Sequence, residues 1–178
     1  MMEPMRLFIG IPVPPDAVSR IRDIQDDLKD HVSRGTFSDE GNFHLTLAFL
    51  GGTDPDRVPS LIKALSPIDG TEFSLTFSHF GTFRGKQGDV AFIAPDEEPA
   101  LQSLNDQVTK ALKGASFPFD DRPFRPHLTL GRNVRFSGAY HPSFSPISFG
   151  CRSFHLYHSH RIDGKLTYTP LATFVLAG

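Results

Sequence analysis

Short apolar runs alternate along the chain with stretches of three- and four-residue periodicity. Arg6-Leu7-Phe8-Ile9-Gly10-Ile11, closed by Pro12, Pro14 and Pro15, predicts a strand running into a loop. Ala17, Ile21, Ile24, Leu28 and Val32 then recur at helical spacing with polar residues between them, which predicts an amphipathic helix capped by Asp16. Residues 33–42 hold two glycines and no periodicity and read as a loop; Phe43 to Leu50 predicts a strand ended by Gly51-Gly52. A second helix is expected after Asp54 as cap, with Pro55 at its first position and Val58, Leu61, Ile62 and Leu65 as its stripe. Phe73, Leu75 and Phe77 alternate with Ser and Thr as in a half-buried strand, Gly81, Gly85 and Gly88 break the next stretch, and Val90 to Ile93 is another strand. Leu101, Leu104, Val108 and Leu112 share a helical face within 97–113, stopped by Gly114, and further strands are expected at 126–131, 153–162 and 167–176. Intermixed strands and helices of this order predict an α+β fold of two sheets.

Composition narrows the setting. The 178 residues, 39% apolar, fit one globular domain, with residues 1–178 forming two intertwined lobes. With 18 Lys+Arg against 20 Asp+Glu, no broad basic face coats long nucleic acid, although a pocket for one phosphate is compatible with the balance. No apolar stretch is long enough to span a membrane, and the start lacks the pattern of a signal peptide. The single Cys151 rules out an internal disulfide, so the expected location is the cytoplasm.

The tetrapeptide His-Leu-Thr-Leu occurs at 44–47 and again at 127–130, which suggests two related halves. On a strand, residues i and i+2 leave the same face, so His44 with Thr46, and His127 with Thr129, form polar pairs while the leucines anchor the other face. If the halves are related by a pseudo-two-fold axis, both pairs line one groove. There one neutral imidazole takes a proton from a nucleophile, the other gives one to a leaving oxygen, and the hydroxyls donate to a phosphoryl group. Arg122, Arg125, Arg132 and Arg135 surround the second copy without an intervening acid and point to phosphate. Phe43, Phe49 and Phe124 offer stacking surface for a base. A zinc site would need further ligands, and neither copy carries HxH, HExxH or a Cys pair. In His155-Leu156-Tyr157-His158-Ser159-His160, residues 158 and 160 share one face and 155 and 157 the other; a metal pair at 158 and 160 and a solvent-facing strand edge are both open readings.

The stretches Asn42-Phe43-His44-Leu45-Thr46-Leu47-Ala48-Phe49-Leu50-Gly51 and Phe124-Arg125-Pro126-His127-Leu128-Thr129-Leu130-Gly131-Arg132 resemble the paired His-x-Thr/Ser signatures of the 2H phosphoesterase superfamily. The resemblance is to its RNA 2′,3′-cyclic phosphodiesterase branch, also called 2′-5′ RNA ligase. It implies a bilobal fold of two antiparallel-rich sheets about a pseudo-two-fold axis and a central groove, helices outside. It also implies metal- and cofactor-independent hydrolysis of RNA or nucleotide 2′,3′-cyclic phosphates to 2′-phosphates, with 2′-5′ ligation in vitro. Carried over, His44 protonates the departing 3′ oxygen, His127 activates water, Thr46 and Thr129 hold non-bridging oxygens, and Arg125 and Arg132 lie near the phosphate, with Phe43 and Phe49 for the base. The implied partners are RNA ends or small cyclic nucleotides; a monomer without a membrane partner is expected. Relatives place a Trp before the first motif; this chain has none, leaving Phe37 or Phe43 for stacking. A non-catalytic phosphate-binding module is the alternative, and the enzyme reading predicts a bell-shaped pH dependence of kcat/KM bounded near about 6–7.5.

Overall fold

The computed structural model describes residues 2–178. Among these, the apolar alternation and helical stripes resolve into β1 (Met5–Pro12), α1 (Pro15–Lys29), β2 (Val32–Phe37), β3 (His44–Thr53), α2 (Val58–Leu65), β4 (Phe73–Phe83), β5 (Asp89–Pro95), α3 (Pro99–Gly114), β6 (Leu128–Phe136), β7 (Ile147–Cys151), β8 (Ser153–Ile162) and β9 (Lys165–Val175). Ala17, Ile21, Ile24 and Leu28 of α1, and Leu101, Leu104, Val108 and Leu112 of α3, are buried as their spacing requires.

Several boundaries differ from expectation. Asp16 does not cap α1: Pro14 occupies the cap and Pro15 the first turn, with Asp16 inside it, where its charge suits the helix N-terminus. Val32 leaves the helix, and the expected loop at 33–42 contains β2, an edge strand too exposed to alternate. Asp54 does cap, but its helix is a single 3-10 turn at Pro55–Arg57, and α2 begins at Val58. Gly81 does not break β4: it pairs with Phe92 of β5, whose ring fills the space a Cβ there would need. β6 runs past Gly131, and β7, whose Ile147, Phe149 and Cys151 alternate inward, escaped the sequence reading.

Two antiparallel sheets result, ordered β3-β1-β8-β9 and β2-β6-β5-β4-β7. Their inner strands correspond one to one: β3-β1-β8-β9 against β6-β5-β4-β7, as a pseudo-two-fold relation requires. The halves exchange elements. β4 follows β3 but joins the second sheet, and β8 follows β7 but returns to the first. The helices cross as well, α1 packing on β2 and β7, and α3 packing on β3 and α2. Leu45, Leu47, Leu128 and Leu130 all enter the core, so each motif strand is held from behind.

Candidate active site

His44 opens β3 immediately after a 3-10 turn, and the ring folds back onto that turn. Its Nδ1 lies 2.8 Å from the carbonyl of Asn42, and its Nε2 lies 2.8 Å from the Thr46 hydroxyl. A carbonyl can only accept, so Nδ1 carries the proton and Nε2 receives the threonine's hydrogen bond. His127, one residue ahead of β6, repeats the anchor: Nδ1–H donates to the Arg125 carbonyl at 2.7 Å. Both imidazoles are thereby locked in the same tautomer, with Nε2 unprotonated.

The strands behind them share a second device. In β3, Leu47 is bulged between Thr46, opposite Gly10, and Ala48, opposite Ile9. In β6, Leu130 is bulged between Thr129, opposite Phe92, and Gly131, opposite Ala91. Each bulged carbonyl is met by a buried side-chain amide from the crossing helix. Asn105 of α3 donates to Leu47 at 2.9 Å, and Gln25 of α1 donates to Leu130 at 3.0 Å. Gln25 and Asn105 are 3% and 7% exposed. Neither was recognised in sequence, where each is one polar residue on an apolar face.

Rings wall both sites. Phe8, Tyr168 and Tyr157 stand 4.8, 5.2 and 6.1 Å from the His44 ring, centroid to centroid. Gly10 lies under this cluster, and a Cβ there would sit 3.3 Å from His44 Cδ2 and 3.1 Å from the Leu45 carbonyl. Phe83 and Phe92 stand 5.0 and 5.3 Å from His127, and Arg125 lies over Phe83, its guanidinium carbon 4.7 Å from the ring centre. The walls come from strands whose sequence reading stopped at the core pattern, so no polar signal marked them.

Burial governs the titration of both groups. The His44 ring has an edge in solvent but is seated deeply enough that burial pushes its pKa down to about 4. The Asn42 carbonyl opposes that shift, while the charges of Arg132 and His127 add to it. His127 is also held below the usual value, first by burial and then by Arg132 and Arg125, against the pull of the Arg125 carbonyl. Arg132 and His127, from the second sheet, thus act on His44 in the first: the two motifs share one electrostatic environment.

The other sequence candidates scatter. Phe43 is 5% exposed in the core and offers no stacking face, a correction to the expectation that it binds a base. Phe37 packs against Gly35 and Gly131 with Lys29 of α1 over its ring. Phe49 remains available at 45% exposure, 6.0 Å from Phe8. Phe124 is half-buried against the core. The four arginines separate: Arg122 is paired with Asp120, Arg125 and Arg132 attend the histidines, and Arg135 lies farther along β6. His158 and His160 stack at 4.1 Å, and His160 Nε2 meets the Thr169 hydroxyl at 2.7 Å. Among the described residues, no three His, Cys, Asp or Glu side chains gather as a metal-holding group. Nor is any helix long and apolar enough to cross a membrane.

Comparison with known proteins places this geometry. The family model described as the 2′-5′ RNA ligase superfamily matches residues 12–163. An RNA 2′,3′-cyclic phosphodiesterase of Escherichia coli is 29% identical over 179 residues, covering 99% of each chain. One of Geobacillus stearothermophilus is 30% identical over 144 residues, 79% of this chain, which spans only 46% of that relative's length. The crystal structure of E. coli LigT complexed with 3′-AMP superposes with a TM-score of 0.87 at 27% identity, covering 99% of this chain and all of that one. A family model spanning both histidine motifs, on a fold shared nearly end to end with a solved member, leaves one conclusion: the chain belongs to the 2′-5′ RNA ligase superfamily.

Proposed function

We propose that this chain opens 2′,3′-cyclic phosphate ends of RNA or nucleotides to 2′-phosphates by acid–base catalysis between two histidines, without a metal. The observation that carries this reading is the matched anchoring of the two rings. Each Nδ1 is tied to the carbonyl two residues before it, and both rings respond to the charge of Arg132. The names of the E. coli and Geobacillus relatives support it.

Water attacks phosphorus while the Nε2 of one imidazole takes its proton. The other imidazole, protonated at Nε2, hands a proton to the departing 3′ oxygen as the P–O3′ bond breaks. The 2′ ester remains. In the family pattern His44 is the acid and His127 the base. Thr46, Thr129 and Arg132 donate to the non-bridging oxygens, where negative charge grows. Arg125, steadied on Phe83, adds charge beside His127, and Phe49 offers a stacking face at the rim. Both resting imidazoles are neutral at pH 7, chiefly through burial, and the negative charge of a bound phosphate favours putting the proton on the acid. An RNA 5′-hydroxyl in place of water turns the same step into 2′-5′ joining. A substrate made of RNA and a single buried thiol at Cys151 fit the cytoplasm.

Turnover of a 2′,3′-cyclic mononucleotide in EDTA is the test. Activity that survives chelation and disappears in His44→Ala and His127→Ala is expected. Binding without turnover by the wild type would make the chain a phosphate-binding module, and loss in EDTA would make it a metal enzyme.

A further inference from the structure

Arg34, Thr36, Lys86, Gln87, Asn133 and Arg135 line a hollow of about 410 Å³ between β2, β6 and the β4–β5 turn. Three of these are cations, and no carboxylate lines it. Among the described residues, no acid lies within ion-pair distance of Arg34, Lys86 or Arg135. The hollow of about 350 Å³ beside α1 differs, since Asp23 and Asp27 line it along with Arg20.

The cations are placed firmly. Arg34 stands directly across from Arg135 in the β2–β6 ladder, a like-charge pairing that destabilises a sheet unless an anion lies over it. Arg34 also donates to the Gln87 carbonyl, tying it to the turn that carries Lys86. That turn is pressed onto β6 at Gly88, where φ is +140° and a Cβ would come within 2.5 Å of the Asn133 carbonyl carbon. The hollow lies farther along the strand that follows His127. Thr36, one of its walls, pairs across the ladder with Arg132, whose charge acts on both imidazoles. From Arg132 to Arg135 is about 10 Å of strand.

We propose that this hollow holds the phosphodiester backbone of the RNA strand on the 5′ side of the cyclic end, so that the protein grips a polynucleotide rather than a lone nucleotide. The inference rests on the cyclic-phosphodiesterase reading for where the strand's end sits. Guanidinium and ammonium groups, with the Thr36 hydroxyl and the Gln87 and Asn133 amides, suit phosphate and sugar oxygens without selecting a base. A chain of net charge -2 concentrates here the attraction that its surface as a whole lacks.

Affinity tests this independently of turnover. Binding of a labelled ten-nucleotide RNA ending in a 2′-phosphate is measured against a nucleoside 2′-monophosphate, across a salt series. The oligonucleotide is expected to bind at least about tenfold tighter at low salt. The Arg34→Ala/Arg135→Ala variant is expected to lose most of that margin, and Lys86→Ala part of it. The slope of log K against log salt should shrink by about 0.7 for each cation removed. Lys110→Ala, an exposed charge on α3, should behave as wild type with both ligands. Equal affinity of the wild type for the two ligands, or equal losses for both in the double variant, would overturn the proposal. Should the turnover assay fail while the oligonucleotide margin and its arginine dependence hold, the RNA track stands and only the chemistry is wrong.

Discussion

His44 and His127 carry the same tetrapeptide and the same Nδ1 anchor, yet the two sheets surround them differently. Around His44 the neighbours are rings, Phe8, Tyr157 and Tyr168, and the arginine whose charge reaches it, Arg132, comes from the opposite sheet. Around His127, Phe83 and Phe92 are joined by Arg125 and Arg132. Both halves are walled by rings, and the second adds positive charge beside its own histidine. A duplicated motif has been specialised by what the flanking strands place beside it, which suits a reaction needing two unlike roles from two identical side chains.

The most severe break of this comparison is the loss of either ring. His44→Ala and His127→Ala should each lower kcat by about 10²–10⁴, with the double variant little worse than either single one, because the two act as a unit. Additive losses would mean the rings work separately. Next is Arg132, the charge both halves share: Arg132→Ala should cost about 10²-fold in kcat/KM and raise the pKa of both imidazoles, read by NMR titration. A rise in His127 alone would show that Arg132 belongs to one half.

The pH profile sharpens the same point. kcat/KM reports the free protein, in which both imidazoles are held low, so the limits expected from sequence near 6–7.5 move downward. The acid limb should lie near about 4, and activity should already be falling by pH 7; a profile rising through pH 6–8 contradicts the dry-wall account. Stability changes with pH in a definite direction. The unfolded chain protonates its histidine near 6.5 while folded His44 resists until about 4. Stability is therefore complete above pH 6.5 and drains away as pH falls from 6.5 towards 4. His44→Gln should flatten that decline in urea unfolding.

The smallest effects should come from the helix amides behind the bulges. Asn105→Leu strips a buried donor from the Leu47 carbonyl and should cost about 1–3 kcal/mol. Gln25→Leu should cost about as much: the Ser38 amide still donates to Leu130 at 3.0 Å, but the Ser38 carbonyl loses the Gln25 amide that donates to it at 2.7 Å. If positioning is their role, kcat falls more than KM rises in both; a stability loss with unaltered kcat would leave them structural.

Local pattern made much of this legible. Side-chain alternation in His-Leu-Thr-Leu assigned the polar and buried faces, and helical spacing found α1 and α3, because both depend on near neighbours. β2 escaped because an exposed edge strand has no inner face to alternate. Phe43 misled because a ring beside a motif reads the same whether it faces a ligand or the core. The arginine cluster looked like one unit, but Asp120 pairs with Arg122, and the strand carries Arg135 away from Arg132.

From the sequence alone came the two histidines, their threonines, the duplicated halves and the chemistry they suit, since each is written within a few consecutive residues. Tertiary structure alone decided that the copies share one environment, that rings wall both histidines while guanidiniums gather beside one, and that Arg34 and Arg135 face each other across a hollow. Those outcomes depend on strands exchanged between sheets and on contacts between residues a hundred or more positions apart, and no short-range pattern encodes such pairings.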